Sequence, residues 1–216
     1  MAEEKHLQEG PSMLVVKEVK MNPKSLLLKV LLPSVLSVVI IALFIISNNP
    51  PRVDNNSSWL ENYTPLHSLG TGADGFWVTY PPGHPQGGQP VSHPQWVLDS
   101  LKNSCVLLVL HRTGCSWCQP QADRVIELGN KYKDSLKFYD LDLELGGDVE
   151  IKGYEAIAYD PDDSPHYIAL TAIITSIDNN GSIEYCWHGW EGDMDKSDLE
   201  GWIKDAIYYY HINSGE

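Results

Sequence analysis

The chain has 216 residues, 43% of them hydrophobic, enough for one ordinary globular domain with residues left over for other purposes. Its net charge of −14 at neutral pH repels phosphate backbones, which excludes nucleic acid as a partner class. Four cysteines are too few for a disulfide scaffold at this length and read as working residues plus bystanders.

Residues 1–24 mix both signs of charge and read as a cytoplasmic tail. Leu26 to Ile46 is almost wholly apolar, interrupted by Lys29, Pro33, Ser34 and Ser37. At about 1.5 Å per helical residue the run spans about 30 Å, one hydrocarbon core, and a transmembrane signal-anchor helix is predicted over 25–47. Lys17, Lys20, Lys24 and Lys29 lie on its N-terminal side, whereas Arg52 alone lies close on the other. The positive-inside rule then puts the N-terminus in the cytoplasm and the C-terminal domain on the extracytoplasmic side, giving a single-pass membrane protein. A cleaved signal peptide is the alternative. The run is long for one, and Ser47-Asn48-Asn49-Pro50-Pro51 lacks a small-x-small cleavage pattern. Residues 48–73 form a polar linker, and the domain is expected over 74–212.

Within the domain a short strand is expected at Gly75–Tyr80, then a Pro- and Gly-rich loop over 81–90. Ser92-His93-Pro94-Gln95 has the form of a capping box opening a helix that turns Val97, Leu98 and Leu101 inward. Cys105 to Leu110 has no polar alternation and reads as a strand buried on both faces. From Ser116 a helix is predicted to about Tyr132, burying Ala122, Val125, Ile126 and Leu128, with Pro120 tolerated in the first turn. Leu136 to Leu143 alternates as a second strand, and 145–165 reads as irregular. Ile168–Ile177 and Ser182–His188 form a hairpin in which Asn180-Gly181 supplies the positive φ angles of a tight turn. A second capping box, Ser197-Asp198-Leu199-Glu200, opens a last helix with Leu199, Trp202, Ile203, Ala206 and Ile207 on its apolar face.

The chemistry concentrates at Cys115-Ser116-Trp117-Cys118, placed between an apolar strand and a helix. Two thiols so spaced can close a small disulfide, and the helix N-terminus stabilises a thiolate there, as thiol–disulfide exchange requires. Half a zinc site looks the same, but no second C-x-x-C and no H-x₃₋₅-H follows. An extracytoplasmic setting lets such a disulfide persist. Cys105 and Cys186 read as buried thiols acting as small hydrophobes. His111, four residues before Cys115, is a candidate for proton transfer or for joining the cysteines on a metal such as copper. One His and two Cys make an incomplete site, so no metal and no cofactor is expected.

Strand, helix with C-x-x-C at its start, strand, hairpin and closing helix together resemble the thioredoxin-like superfamily, more narrowly its membrane-anchored extracytoplasmic members. The resemblance covers residues 74–210. It rests on the strand before Cys115-Ser116-Trp117-Cys118, on Tyr139-Asp140-Leu141-Asp142, and on Thr171 to Gly181. It implies an α/β thioredoxin-like fold, a mixed central sheet flanked by helices, after one N-terminal transmembrane helix. It makes Cys115 the attacking thiolate and Cys118 the resolving thiol, and it implies a substrate groove at Trp117, Thr171 and Ala172. Three positions depart from the family pattern. Val109 stands in place of the buried acid, with Asp140 and His111 as candidate proton acceptors. Ala172 falls where the cis-proline is expected, with Pro165 a distant stand-in. Gly114 replaces the aromatic residue before the first Cys.

The expected function is a membrane-tethered thiol–disulfide oxidoreductase acting on cysteine-containing exported proteins or a redox partner protein. Two alternatives stay open: a non-catalytic binding module with a static disulfide, and a metal-delivery protein using the same cysteines.

Overall fold

The computed structural model describes residues 59–70 and 72–214. The predicted tail, the anchor helix at 25–47 and the linker as far as residue 58 lie outside the described residues. Among those described, no helix is long and apolar enough to cross a membrane.

The organising element is strand β3, Cys105–His111, whose seven residues are all buried. Side chains alternate across a strand, so Cys105, Leu107 and Val109 enter one apolar cluster while Val106, Leu108 and Leu110 enter another. Burying each such aliphatic side chain contributes about 1.5–3 kcal/mol, and both faces of the sheet must be covered to realise it. Helix α2 (Gln119–Lys131) and helix α4 (Lys196–Asn213) supply the cover on the first face, through Ala122, Val125 and Leu128 and through Leu199, Ile203 and Ala206. Val97 and Leu101 of helix α1 (Gln95–Leu101) and Ala156 of helix α3 (Gly147–Ala156) cover the second face.

The four-stranded sheet has the order β4-β3-β5-β6. Strand β4, Leu136–Asp142, is parallel to β3, as a strand–helix–strand crossover requires. Strand β5, Leu170–Asn179, is antiparallel to β3 and forms a hairpin with β6, Ser182–Glu191. The hairpin turns at Asn180 (φ 54°) and Gly181 (φ 87°), the left-handed pair the sequence predicted. Cys105 on β3 and Cys186 on β6 are separated by β5, and both are free thiols. The mixed α/β sandwich expected from the element order is the observed architecture.

Several expectations fail locally. Helix α1 is capped by Pro94 and α4 by Asp195, neither with a side-chain cap bond, so both predicted capping boxes are corrected. The 145–165 stretch is not irregular throughout: α3 starts at Gly147, directly after Gly146 (φ 66°), where a Gly pair had read as a breaker. The helix turns only Gly153 and Ala156 fully inward, which left no long apolar stripe to detect. The strand predicted at Gly75–Tyr80 shortens to β2, Gly75–Phe76, paired with β1, Ser68–Leu69. Beyond it Trp77 bridges to Trp187 through two backbone hydrogen bonds, extending the sheet edge at β6. Gly189 admits the close approach of residue 159: a Cβ at this position would sit 2.2 Å from the Tyr159 carbonyl oxygen.

The segment before β1 is strapped to α4 by one buried side chain. Asp205 accepts hydrogen bonds from Tyr63 Oη (2.6 Å), from the Leu66 and His67 amides, and from His67 Nδ1 (2.7 Å). The His67 ring stacks on Trp202 with centroids 3.6 Å apart. The Asp205 side chain is itself fully buried, and removing its carboxyl takes the shared acceptor from these part-buried donors. Asp205→Ala is therefore expected to cost about 3 kcal/mol, read as a lowered urea midpoint. An unchanged midpoint would show that the strap contributes nothing to stability.

Candidate functional site

Strand β3 ends at His111, and the chain turns through Arg112–Gly114 into the cysteine pair. Gly114 adopts φ 84°, a left-handed conformation that a residue with a side chain would enter only with strain. The turn is pinned to the end of β4 by Asp142. Its carboxyl accepts the Thr113 amide (2.9 Å), the Thr113 hydroxyl and the Glu144 amide (3.0 Å). Burial opposes the charge on Asp142, but these bonds hold its carboxyl below the usual range. Arg112 at the rim pairs with Glu144 at 3.2 Å.

Cys115 and Cys118 form a disulfide, with Cα atoms 5.3 Å apart. The Cys115 amide donates to Arg112 O, and the amides of Cys118 and Gln119 donate to Cys115 O, so the pair forms the turn leading into α2. The Cys118 amide also points at Cys115 Sγ, 3.2 Å away. Amides at a helix start carry partial positive charge, so a thiolate on Cys115 would be stabilised there. The two sulfurs differ in access. Cys118 is 0% exposed and packs within the α2-side cluster, whereas Cys115 is only partly buried. That asymmetry follows from the roughly 300° of helical rotation between them. Trp117 is 89% exposed beside them.

The groove residues expected on β5 lie elsewhere. Thr171 is wholly buried and accepts from Gln121 Nε2 of α2 at 3.0 Å, while Ala172 is wholly buried in the opposite cluster. The backbone that meets the disulfide is three to four residues earlier: Ile168 O lies 3.4 Å from Cys118 Sγ. Ala172, where the resemblance would put the cis-proline, carries no cis bond; the cis peptides are Ile168–Ala169 and Ser164–Pro165. Gly192 N donates to Ala169 O (3.0 Å) and Met194 N to Gln121 Oε1 (3.0 Å), so the 192–194 loop braces this edge.

Two further groups surround the site. His111 and Asp140, both expected as candidate proton acceptors, are brought together: His111 Nε2 lies 2.7 Å from Asp140 Oδ1. The Asp140 bond outweighs burial and raises the imidazole above its ordinary pKa, with Asp142 and Asp123 adding to the effect. Glu191, at the end of β6, was not singled out by the sequence reading. Its carboxyl accepts the Tyr167 amide, one residue before Ile168. Burial, with the charges of Asp160 and Asp162 beside it, pushes Glu191 up to about 7 against that bond. Asp160, Asp162 and Glu191 offer oxygens within 4.8 Å of one another, and this acidic group does not include the cysteines. His166 Nδ1 pairs with Asp160 at 2.7 Å.

No protein-family model and no curated protein matches the chain. Among solved structures similar in part is thioredoxin O2 from Arabidopsis thaliana in its oxidised state. It is 14% identical with a TM-score of 0.35, covering 52% of this chain and 85% of that one. Another comes from work on the thiol-resolving mechanism of yeast mitochondrial 1-Cys peroxiredoxin. It is 14% identical with a TM-score of 0.32, covering 51% of this chain and 87% of that one.

The arrangement predicts a graded thiol reactivity. Burial pushes the Cys105 thiol up to about 12 and raises Cys186 likewise. After reduction of the folded chain, iodoacetamide is expected to label Cys115 alone, and all four cysteines in urea, as read by peptide mass. Labelling of Cys118 at the same rate as Cys115 in the folded protein would contradict the difference in access.

Proposed function

We propose that this chain is a membrane-tethered, extracytoplasmic, thioredoxin-like thiol–disulfide oxidoreductase acting on cysteines of exported proteins. The observation that carries the reading is the asymmetric Cys115–Cys118 disulfide at the start of α2, one sulfur accessible beside a helix-start amide and the other buried. In the reduced protein the Cys115 thiolate attacks a substrate disulfide and forms a mixed disulfide, expelling the first substrate thiolate. Cys118 then attacks the Cys115 sulfur, closes the internal disulfide and releases the second substrate thiolate, so two electrons pass to the substrate. Run backwards, the same steps oxidise a substrate dithiol. The exposed Trp117 and the Ile168 backbone flank the sulfurs and are the groups a docking polypeptide would meet. The tether rests on the apolar run at 26–46, and the side of the membrane on the lysines that precede it.

The apolar Val109 favours the rival reading, a binding module with a static disulfide, because the site has no carboxyl at that position. The redox potential separates the two. A reversible couple between roughly −120 and −270 mV is expected for an exchange protein, together with a Cys118→Ser variant that accumulates mixed disulfides through Cys115. A disulfide that resists reduction below about −300 mV, with no trapped adduct, would sink the oxidoreductase reading.

A further inference from the structure

Resolution of a mixed disulfide requires the buried Cys118 thiol to lose its proton, and Val109, packed in the same cluster, offers no acceptor. His111 lies two residues further along β3. Strand alternation therefore puts it on the same side of the sheet as Val109 and Cys118, at the end where the cysteines sit. Its neighbour Arg112 accepts the Cys115 amide, so one backbone turn joins the strand end to the dithiol.

The imidazole is only 5% exposed, and its two nitrogens are treated differently. Nε2 meets Asp140 Oδ1 at 2.7 Å, and a carboxylate only accepts, so this nitrogen carries the hydrogen. In the neutral ring Nδ1 is then a bare acceptor, buried with no hydrogen-bond partner among the described residues. A buried acceptor normally finds a donor. The disulfide form has none to give here, but reduction creates S–H groups at this end of the sheet.

We propose that His111, oriented by Asp140, accepts the Cys118 proton during resolution and so takes the part that a buried carboxyl would otherwise play. The inference rests on the oxidoreductase reading. As Cys118 Sγ attacks Cys115 Sγ, the bond from Cys115 to the substrate sulfur breaks and the substrate leaves as a thiolate with the electron pair. The Cys118 proton passes to His111 Nδ1 and is later surrendered to the departing thiolate or to water. In the opposite direction His111 returns the proton to Cys118. Asp140 and Asp142 face the ring from β4 and Asp123 from α2, while Arg112 is paired with Glu144 at the rim. These carboxylates favour the imidazolium that forms, which supports a ring that takes up a proton and holds it.

The test uses the reduced full-length chain with oxidised glutathione as the disulfide probe. It separates formation of the Cys115–glutathione adduct from its resolution by Cys118 over about pH 5 to 9. In the unchanged protein the resolution rate is expected to rise through the His111 ionisation, at a pH above the free-histidine value of about 6.5. His111→Gln should still form the adduct but resolve it about a hundredfold more slowly at neutral pH, with that inflection gone. Asp140→Asn keeps the ring, removes its anion, and should move the inflection to lower pH. Near-UV circular dichroism checks the fold of both variants, and Asp140→Asn decides the matter if His111→Gln does not fold. Resolution by His111→Gln at the unchanged rate and profile would overturn the proposal and leave the oxidoreductase reading intact, as would an unmoved inflection in Asp140→Asn. If the unchanged protein forms no adduct at Cys115, the oxidoreductase reading falls and the proposal with it.

Discussion

A strand with no polar residue from Cys105 to Leu110 cannot face water on either side, and that constraint governs the molecule. Both faces of the sheet must be roofed by helices, so β3 becomes an inner strand with β4 and β5 as neighbours. Its last residue then emerges at the sheet's end, where the chain must reverse into α2. The cysteines occupy that reversal. One sulfur inherits the polarity of the helix start, and the other drops into the cluster that β3 itself created. Packing and reactivity thus share a single origin. The dithiol packs on the cluster that contains β3's Cys105, Leu107 and Val109, and a shift of β3 would move it.

The polar side chains nearest the site brace more than they fill. Asp142 ties the approach turn to β4, and Gln121 spans α2, β5 and the loop after β6. Each is buried, and the bonds described here occupy its polar atoms. His111 differs, because one of its nitrogens is left over. Buried polar groups that are fully satisfied rigidify, whereas an unpaired buried polar atom is costly. Structure and chemistry part company at that atom.

Periodicity was legible where packing dictates it. The apolar run of β3, the stripe of α4 and the Asn-Gly turn read directly, because burial on two faces, a helical period and positive φ each leave a mark in one residue type. The cysteine pair and the His111–Asp140 pair were legible as candidates, since strand neighbours in a strand–helix–strand unit come together. What stayed hidden depends on partners distant in sequence. Ser92 and Ser197 have the form of caps, yet tertiary packing sets the helix starts at Gln95 and Lys196. Helix α3 turns few side chains inward and so lacks a stripe. The edge that meets the disulfide is marked by no proline, and the sequence reading placed it at Thr171–Ala172 rather than Ile168–Ala169. Asp205 looks like an ordinary polar residue of an amphipathic helix until Tyr63 and His67 are seen to converge on it.

That convergence fixes how load would travel through the domain. Chain arriving through Tyr63 is fastened to α4 by several short bonds before it reaches the sheet. Tension along it is borne first by the carboxyl-terminal helix and by the stacked rings of His67, Trp202 and His188. The turn carrying the cysteines is tied instead to β4 and to the loop after β6, off that line. The strap is therefore fastened to α4 through contacts separate from those that fix the turn carrying the two sulfurs.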